Sequence, residues 1–164
     1  MVKLISVLII FVFFSIICTS LPNPQPHDTF RPKSIQAVTA NARSCSYTIV
    51  IRTSCSSSSY TRDHISLAFG DSYGHEVYLK RLDDPSSGTF ERCSTDTFKI
   101  NGACIYDICY LYLLRTGSDG WKPETVNIYG PNTKTATFKF NTFLPNGVWF
   151  GFKTCSHMSL STTM

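Results

Sequence analysis

Apolar and polar residues alternate along much of the chain with a period of two. The clearest runs are YTIVIR at 47–52, HISLAF at 64–69 and EVYLK at 76–80. Because successive side chains of a strand point to opposite faces of a sheet, this alternation predicts strands with one buried face. Further strands are predicted at 97–100, 108–115, 125–129, 135–140 and 148–153, and the nearly continuous apolar run at 108–115 indicates a central strand.

Turn-forming residues separate the predicted strands. They are SCSSSS at 54–59, GDSYG at 70–74, DDPSSG at 83–88, NG at 101–102, TGSDG at 116–120, YGPN at 129–132 and PNG at 145–147. No segment of the region between 45 and 155 has the apolar stripe of an amphipathic helix. Many short strands with turns at this spacing predict an all-β sandwich or barrel.

The first twenty residues have the layout of a signal peptide. Lys3 gives a charged start, residues 4–17 are apolar, and small residues follow, so cleavage is predicted after Ser20, with Ala40 as the alternative. An uncleaved anchor helix is the other interpretation, although the apolar run is shorter than the roughly 20 residues that span a bilayer. We therefore expect a secreted, extracellular protein whose mature chain has no transmembrane segment.

The rest of the chain divides by composition. Residues 21–44 contain four prolines without periodicity and predict a flexible linker. The strand-rich region at 45–155 predicts one domain, and residues 156–164 predict a disordered tail. The balance of 15 basic to 11 acidic residues, without a basic cluster, argues against a nucleic-acid binder.

Cysteine usage supports export. Of seven cysteines, Cys18 lies in the predicted leader, and the six that remain are Cys45, Cys55, Cys93, Cys104, Cys109 and Cys155. An even number in an oxidising compartment predicts disulfides, and the spacings do not fit a structural zinc site. Cys93 is accordingly predicted to be half of a bridge and not a nucleophile. Six cysteines allow fifteen pairings, among which the spacings do not decide.

Several short motifs follow one another in a recognisable order. They are YTIVIRT at 47–53, TRDHISLAFGD at 61–71, FERCSTDTF at 90–98, GWKPETVNIYG at 120–130 and FLPNGVWF at 143–150. This order resembles the PLAT domain shared by polycystins, lipoxygenases and alpha-toxin. It resembles still more closely the plant embryo-specific protein family, whose members are small secreted chains with one such domain. The marker positions are Phe90, Arg92, Asp96, Phe98, Trp121 and Trp149, with Pro145 and Asn146 before the last of them.

The resemblance implies a fold and a role. The fold implied is a disulfide-stabilised antiparallel β-sandwich of about eight strands in two four-stranded sheets, with Trp121 and Trp149 packed inside it. The role implied is binding to a lipid surface or a protein partner, with a part in plant embryo or seed development. Cys93 stands where the general PLAT pattern tends to have Gly, which implies an added bridge.

The implied strand order also suggests a pairing of the cysteines. Cys45 opens the first strand and Cys155 follows the last, so a Cys45–Cys155 bridge would join the ends of the domain. Cys55–Cys93 and Cys104–Cys109 complete that set.

Acidic residues near the predicted turns are candidate metal ligands. Because some PLAT domains respond to calcium, Asp71, Asp83, Asp84 and Asp119 are candidate calcium ligands. The alternative is that these carboxylates cap turns. Asp96 is expected to make a structural contact, either with nearby backbone or with Arg62 or Arg92.

Apolar side chains near turns are candidates for contact with a membrane or a partner. Tyr60, Phe143 and Leu144 are predicted to be exposed in this way.

No motif predicts catalysis or a cofactor other than calcium. The histidines are His27, His64, His75 and His157, and they form no known catalytic or metal-binding motif. We predict a non-enzymatic binding module. The alternatives are an extracellular hydrolase with a convergent site that uses His64 or His75, and a passive structural or storage protein.

Overall fold

Nine strands form two antiparallel sheets in the computed structural model, which describes residues 22–33, 43–82 and 86–155. In chain order they are β1 (Gln25–Pro26), β2 (Ser44–Thr53), β3 (His64–Gly70), β4 (Glu76–Leu79), β5 (Thr95–Ala103), β6 (Tyr110–Thr116), β7 (Pro123–Tyr129), β8 (Ala136–Lys139) and β9 (Trp149–Lys153). The predicted leader and C-terminal tail lie outside the described residues. The described part contains no helix long and apolar enough to cross a membrane.

The two sheets have the strand orders β1-β9-β6-β3-β4 and β5-β2-β7-β8. The antiparallel all-β sandwich is confirmed, and β6 is central as expected, but one sheet has five strands instead of four. The fifth is β1, whose two residues pair with Gly151 and Phe150 of β9. Pro26 is tolerated there because an edge strand needs no second set of N–H donors.

Residues 22–33 therefore differ from the flexible linker predicted for 21–44. They follow the outer surface of the five-stranded sheet, whereas residues 34–42 lie outside the described part. No alternation marks β1, because this two-residue strand is held by backbone pairing and by the ring of Phe30 further along the chain.

The main core fills the space between the sheets. The predicted alternation places Tyr47, Ile49 and Ile51 of β2 against Leu111 and Leu113 of β6, and all five are fully or almost fully buried. Burial of apolar side chains on both inner faces is the principal stabilisation of such a sandwich.

The two tryptophans lie in different places. Trp121 is fully buried in the main core, as the resemblance implied. Trp149 is also buried, but it belongs to a second cluster, with Ala68 and Tyr112, on the outer face of the five-stranded sheet. Trp149 precedes Phe150, which faces the main core, so the strand period turns Trp149 outward.

The disulfides are Cys45–Cys104, Cys55–Cys93 and Cys109–Cys155, with Cα–Cα distances of 4.9, 4.4 and 4.9 Å. The Cys55–Cys93 pairing agrees with the expectation, whereas the Cys45–Cys155 and Cys104–Cys109 pairings were wrong. Strand adjacency explains the correction. Cys45 pairs in register with Gly102 of β5, and Cys104 follows directly after the end of that strand. Thr154, beside Cys155, donates its N–H to the Cys109 carbonyl at 2.8 Å.

We expect a peptide map of the non-reduced protein to give these three pairs and no Cys45–Cys155 peptide. Replacing both cysteines of the Cys109–Cys155 pair with serine removes a crosslink between positions 46 residues apart. In the chain-entropy model this lowers the free energy of unfolding by about 4 kcal/mol. Denaturant unfolding measures the loss, and a change below about 1 kcal/mol would contradict the chain-entropy account.

Candidate binding surface at one end of the sandwich

Four connections meet at one end of the sandwich, which we call the loop end. They are β2–β3 at 54–63, the described part of β4–β5 at 86–94, β6–β7 at 117–122 and β8–β9 at 140–148. They meet because paired strands are antiparallel, so that each of these connections leaves the sheets on the same side. The opposite end carries residues 71–75, 104–109 and 130–135.

A buried ion pair holds the loop end together. Arg115 has the parity of Leu111 and Leu113 in β6, so its side chain points inward, where its guanidinium Nη1 donates to Asp63 Oδ2. Arg115 Nε donates to the Leu144 carbonyl at 3.1 Å. Both side chains of the pair are less than one-tenth exposed. The pair thus links the β2–β3 connection, β6 and the β8–β9 connection.

Backbone groups complete the coordination of Asp63. The N–H groups of Asp119 and Gly120 donate to its carboxylate, each at 3.1 Å. Burial alone raises the pKa of Asp63, but these two N–H donors and the guanidinium of Arg115 outweigh that effect, so the pKa lies below its ordinary value. The carboxylate is therefore ionised and fixes the β6–β7 connection.

Gly117 is required where this connection passes Asp63. Its φ of 153° lies in a region that favours glycine, and a Cβ at this position would lie 1.9 Å from Asp63 Oδ1. The turn therefore accommodates the carboxylate only because residue 117 has no side chain.

The FERCSTDTF motif forms a tight loop against the core. Phe90 is fully buried, with its ring centroid 4.7 Å from that of Trp121 and 5.7 Å from that of Phe98. Phe90 and Cys93 both have φ of 64°, a left-handed conformation that is unfavourable for these residues. The Cys55–Cys93 bridge and the contacts of Asp96 hold the chain in this conformation.

The polar residues of this motif are structural. Asp96 Oδ2 accepts hydrogen bonds from the Phe90 N–H and the Ser94 hydroxyl, both at 3.0 Å. Arg92 Nε donates to the Ser57 carbonyl at 2.8 Å, which joins the β4–β5 connection to β2–β3. The expected contact of Asp96 with nearby backbone is therefore observed, at the Phe90 N–H.

Aromatic and basic side chains share the surface of the loop end. Tyr60 and Phe143 are 55% and 51% exposed. The Arg62 guanidinium lies 5.3 Å from the centroid of the Tyr60 ring, and Lys122 Nζ lies 6.0 Å from that of Phe143. We call Tyr60, Arg62, Lys122 and Phe143 the loop-end patch.

The two halves of the patch adjoin one another across the β6–β7 connection. The Arg62 N–H donates to Asp119 Oδ2 at 2.9 Å, and a Cβ built on the neighbouring Gly120 would lie 4.0 Å from Phe143 Cδ1. The patch therefore rests on the same connection that Asp63 fixes. Arg62 and Lys122 are surface residues that the sequence did not predict as part of a binding site. Arg62 follows closely after Tyr60 in the chain, which was an available signal, whereas Lys122 and Phe143 lie in different connections and no local signal joins them.

Leu144 is not part of this surface, so the prediction of an exposed contact there was wrong. It is 2% exposed and belongs to the main core. Its N–H donates to the Trp121 carbonyl at 3.0 Å, and its own carbonyl accepts from Arg115. These two hydrogen bonds turn the side chain of Leu144 inward while the ring of Phe143 remains outside.

The proposed calcium ligands do not come together in the described residues. Asp71 follows β3, near Tyr110, whereas Asp119 follows β6 at the other end, so the length of a seven-residue strand, roughly 20 Å, separates them. Asp71 accepts N–H groups of Tyr73 and His75, at 2.9 and 3.0 Å, in the manner of a turn cap. Asp83 and Asp84 lie outside the described residues. Among the residues that the structure describes, no group of three or more candidate metal ligands occurs.

The histidines are distributed over separate surfaces. His75 Nδ1 lies 2.8 Å from Asp71 Oδ2 at the end opposite to the loop end. His64 starts β3 and is exposed, and His27 contacts the outer face of the five-stranded sheet. His157 lies outside the described residues. The structure therefore does not bring His64 and His75 into one site, since they stand at opposite ends of β3.

Comparison with known proteins places the chain in a family. The family model described as "Embryo-specific protein 3, (ATS3)" matches residues 30–155. The chain belongs to this ATS3 family. Embryo-specific protein ATS3A of Arabidopsis thaliana is 63% identical over 133 residues, covering 81% of this chain and 73% of the relative. Embryo-specific protein ATS3B of the same plant is 50% identical, covering 99% of the chain and 86% of the relative. These ATS3 relatives are named as embryo-specific proteins and not as enzymes.

Solved structures extend the likeness of this ATS3-family chain to the PLAT-like fold. A lipoxygenase matches with a TM-score of 0.58 at 20% identity, covering 68% of this chain. Alpha toxin from Clostridium absonum matches with a TM-score of 0.56 at 19% identity, covering 74% of this chain. The chain spans only 16% of the lipoxygenase and 34% of the toxin, so these likenesses show the fold alone.

We expect Asp63→Ala to lower the free energy of unfolding by about 3 to 5 kcal/mol, because it leaves the buried Arg115 charge without its partner. Adding Arg115→Met should recover part of this loss. The matched control is the more accessible pair Arg52–Glu124, whose side chains are 52% and 32% exposed and whose N and O atoms are 3.1 Å apart, and Glu124→Ala should cost less than about 1 kcal/mol. Denaturant unfolding measures all three, and equal losses for Asp63→Ala and Glu124→Ala would contradict the structural role of the buried pair.

The same carboxylate predicts a pH dependence. Because the folded-state pKa of Asp63 is lowered, its contribution to stability is complete above the unfolded-state pKa, about 3.9, and is lost as the pH falls through the folded-state value. Asp63→Asn should remove this part of the acid destabilisation. Unfolding measured between neutral and acidic pH tests it, and parallel curves for the two proteins would argue against a lowered pKa.

Proposed function

We propose that this ATS3-family protein is a secreted, non-catalytic binding module that attaches to an anionic lipid surface through its loop-end patch, in the setting of embryo or seed development. The observation that supports this most is the exposure of Tyr60 and Phe143 beside Arg62 and Lys122 on a rigid end of the sandwich. The family name and the PLAT-like fold support the general role. No specific observation favours a hydrolase or a storage protein.

The composition of the patch suits the boundary between lipid headgroups and acyl chains. Exposed aromatic rings are stable there because they combine an apolar body with a polar or polarisable edge. Each Lys or Arg close to an anionic membrane contributes roughly 1 kcal/mol of attraction. The buried Asp63–Arg115 pair and the Cys55–Cys93 bridge hold the loops in place, so little conformational entropy is lost on binding.

We expect vesicles containing phosphatidylserine to bind the protein more tightly than vesicles of phosphatidylcholine alone. Replacing Tyr60 and Phe143 together with serine should weaken binding about tenfold or more, since partly burying two aromatic rings contributes at least 1.4 kcal/mol. Vesicle sedimentation measures the affinity. The matched control is Tyr73→Ser with Tyr106→Ser, which removes two exposed tyrosines at the opposite end.

Two outcomes would redirect this proposal. If the loop-end and opposite-end variants bound vesicles equally well, the lipid contact would not lie at the patch. If neither they nor the unaltered protein bound vesicles, a protein partner would replace the lipid surface. Repeating the series with a chelator, and with Asp83→Asn and Asp84→Asn, tests the remaining calcium ligands.

Secretion is supported by the leader-like first twenty residues and by the three disulfides. We expect the full chain, carrying a C-terminal tag in plant cells, to appear in the medium with Leu21 as its first residue. Ile10→Arg with Phe13→Arg interrupts the apolar run and should retain the protein inside the cell. N-terminal sequencing checks the cleavage site. A first residue of Asn41 would favour the alternative site, and equal secretion of both proteins would refute the leader.

A further inference from the structure

The outer face of the five-stranded sheet has an unusual aromatic surface. Tyr110 and Tyr112 of β6 and Trp149 of β9 point away from the main core, and Tyr78 of β4 adjoins them, with its ring centroid 6.0 Å from that of Trp149. We call these four residues the aromatic face. An outer sheet face normally carries polar residues. Because exposed apolar surface of this extent is unfavourable in water, we expect another part of the protein to cover the aromatic face.

Residues 22–33, which we call the arm, provide that cover. The Phe30 ring centroid lies 4.5 Å from that of Tyr112, 5.2 Å from that of Trp149 and 6.2 Å from that of Tyr110. His27 adds an edge contact with Tyr112 at 5.2 Å. With these rings in place Tyr112 is 2% exposed and Trp149 8%. Phe30 is thus the anchor of the arm.

The backbone of the arm adds a strand to the sheet. Gln25 pairs with Gly151, Pro26 with Phe150, and the His27 N–H donates to the Trp149 carbonyl at 2.8 Å. This is the geometry by which peptides are recognised at an exposed sheet edge, where backbone bonds give affinity and side-chain pockets give specificity.

A polar contact closes the other end of the arm. Glu76 accepts the Lys33 N–H through Oε1 at 2.6 Å and the Tyr110 hydroxyl through Oε2 at 2.7 Å. Lys33 Nζ also donates to the Gly74 carbonyl at 2.7 Å. Burial raises the pKa of Tyr110, and the bond to the Glu76 carboxylate raises it further, so the phenol remains a donor.

Gly70 of β3 pairs with Tyr110 of β6 and leaves room for its side chain. A Cβ at residue 70 would lie 2.3 Å from the hydroxyl oxygen of Tyr110. The absence of a side chain at residue 70 therefore lets Tyr110 take the position in which it donates to Glu76 and contacts Phe30 of the arm.

The contacts of the arm are those of a bound peptide. The three disulfides join residues between Cys45 and Cys155, so none of them crosslinks the arm. A groove of about 200 Å³ remains between the arm and the sheet, lined by Pro22, Gln25, His27, Tyr112 and Lys153 among others. The arm fits the face without filling it.

We propose that the aromatic face is a peptide-binding site and that the arm is its resident, displaceable ligand. The partner is an extended segment of another protein that carries an aromatic side chain with a lysine or arginine three residues later, as Phe30 and Lys33 are spaced. Its backbone pairs with β9, its ring replaces that of Phe30, and its cation reaches the Gly74 carbonyl. The aromatic face shares no residue with the loop-end patch, so this inference does not depend on lipid binding.

The covalent connection of the arm makes it a strong competitor. A segment tethered by a short chain reaches an effective concentration of about 1 mM, so a free peptide of equal intrinsic affinity binds weakly while the arm is attached. Release of the arm should therefore raise the affinity for the partner segment. Backbone pairing to the Trp149 carbonyl favours a peptide over a sugar chain, which aromatic surfaces can also bind.

The test begins with the full chain folded with its arm. A recognition sequence for a specific protease is introduced within residues 35–41, and the chain is cut only after folding, so that the arm is free to leave an intact body. Circular dichroism and the disulfide map confirm that the body remains folded. A fluorescent synthetic peptide of residues 22–33 then serves as the probe, with binding measured by anisotropy after removal of the released arm.

We expect the cut protein to bind this peptide at least tenfold more tightly than the uncut protein does. The Phe30→Ala peptide should bind at least tenfold more weakly than the unaltered one, and the Lys33→Ala peptide should be weakened less. Trp149 emission should shift to longer wavelength when the arm leaves and return when the peptide binds. Trp149→Phe should abolish that change, whereas Trp121 is buried in the main core and does not report it.

Several results would overturn the proposal. They are failure of the folded cut protein to bind the peptide, equal binding by cut and uncut protein, and equal binding of the Phe30→Ala peptide. Binding of cellohexaose without binding of the peptide would assign the face to sugar chains instead. Displayed random peptides of the same length, selected on the cut protein, should be enriched in an aromatic residue with a cation three positions later, and enrichment without the aromatic residue would also refute it.

Discussion

Burying the guanidinium of Arg115 imposes the strongest constraint on this sandwich. A charge at an inward position of the central strand costs several kcal/mol unless it is paired and its remaining donors are satisfied. Asp63 supplies the pair, and the Leu144 carbonyl accepts a further N–H. Asp63 in turn needs donors, which it obtains from the backbone of Asp119 and Gly120. The conformations of the surrounding loops are consequences of satisfying these two side chains.

This requirement connects the core with the surface. Asp63 holds the β6–β7 connection by accepting two of its backbone N–H groups. In the same connection, Trp121 packs in the core and Lys122 lies beside the ring of Phe143. The hydrogen bonds of Leu144 place it inside and leave Phe143 outside. The loop-end patch is therefore presented by a rigid support and not by mobile loops. A surface of this kind loses little entropy when it binds, which suits recognition more than it suits a reaction that needs loop closure.

The sequence predicted those features that depend on local periodicity. Alternation located β2, β3 and β4, and the nearly continuous apolar run at 108–115 located the central strand β6. The parity of Arg115 with Leu111 and Leu113 would also have revealed the buried charge. Features that depend on strand adjacency were not predictable in this way. The Cys45–Cys104 bridge requires β5 to lie beside β2, and no spacing in the sequence indicates that adjacency. The prediction for Leu144 was wrong because the direction of a side chain in a loop leaves no period in the sequence. The strand β1 was not predicted because pairing through the backbone leaves no period either.

The arm shows how a sheet with two apolar faces can exist in a single small domain. The inner face of the five-stranded sheet is covered by the four-stranded sheet. Tyr112 and Trp149 lie on the outer face, against which neither a second sheet nor a helix packs within the described residues. Covering them with a helix or a further sheet would require many more residues, whereas the arm does so with one phenylalanine, one histidine and a short strand. Because the arm makes few contacts with the sheet, it contributes little to the free energy of unfolding and is kept in place mainly by its covalent connection to the rest of the chain. The arm therefore protects the apolar face from aggregation while still allowing another peptide segment to replace it. Phe30, the first residue matched by the ATS3 family model, is accordingly part of the domain and not of a linker.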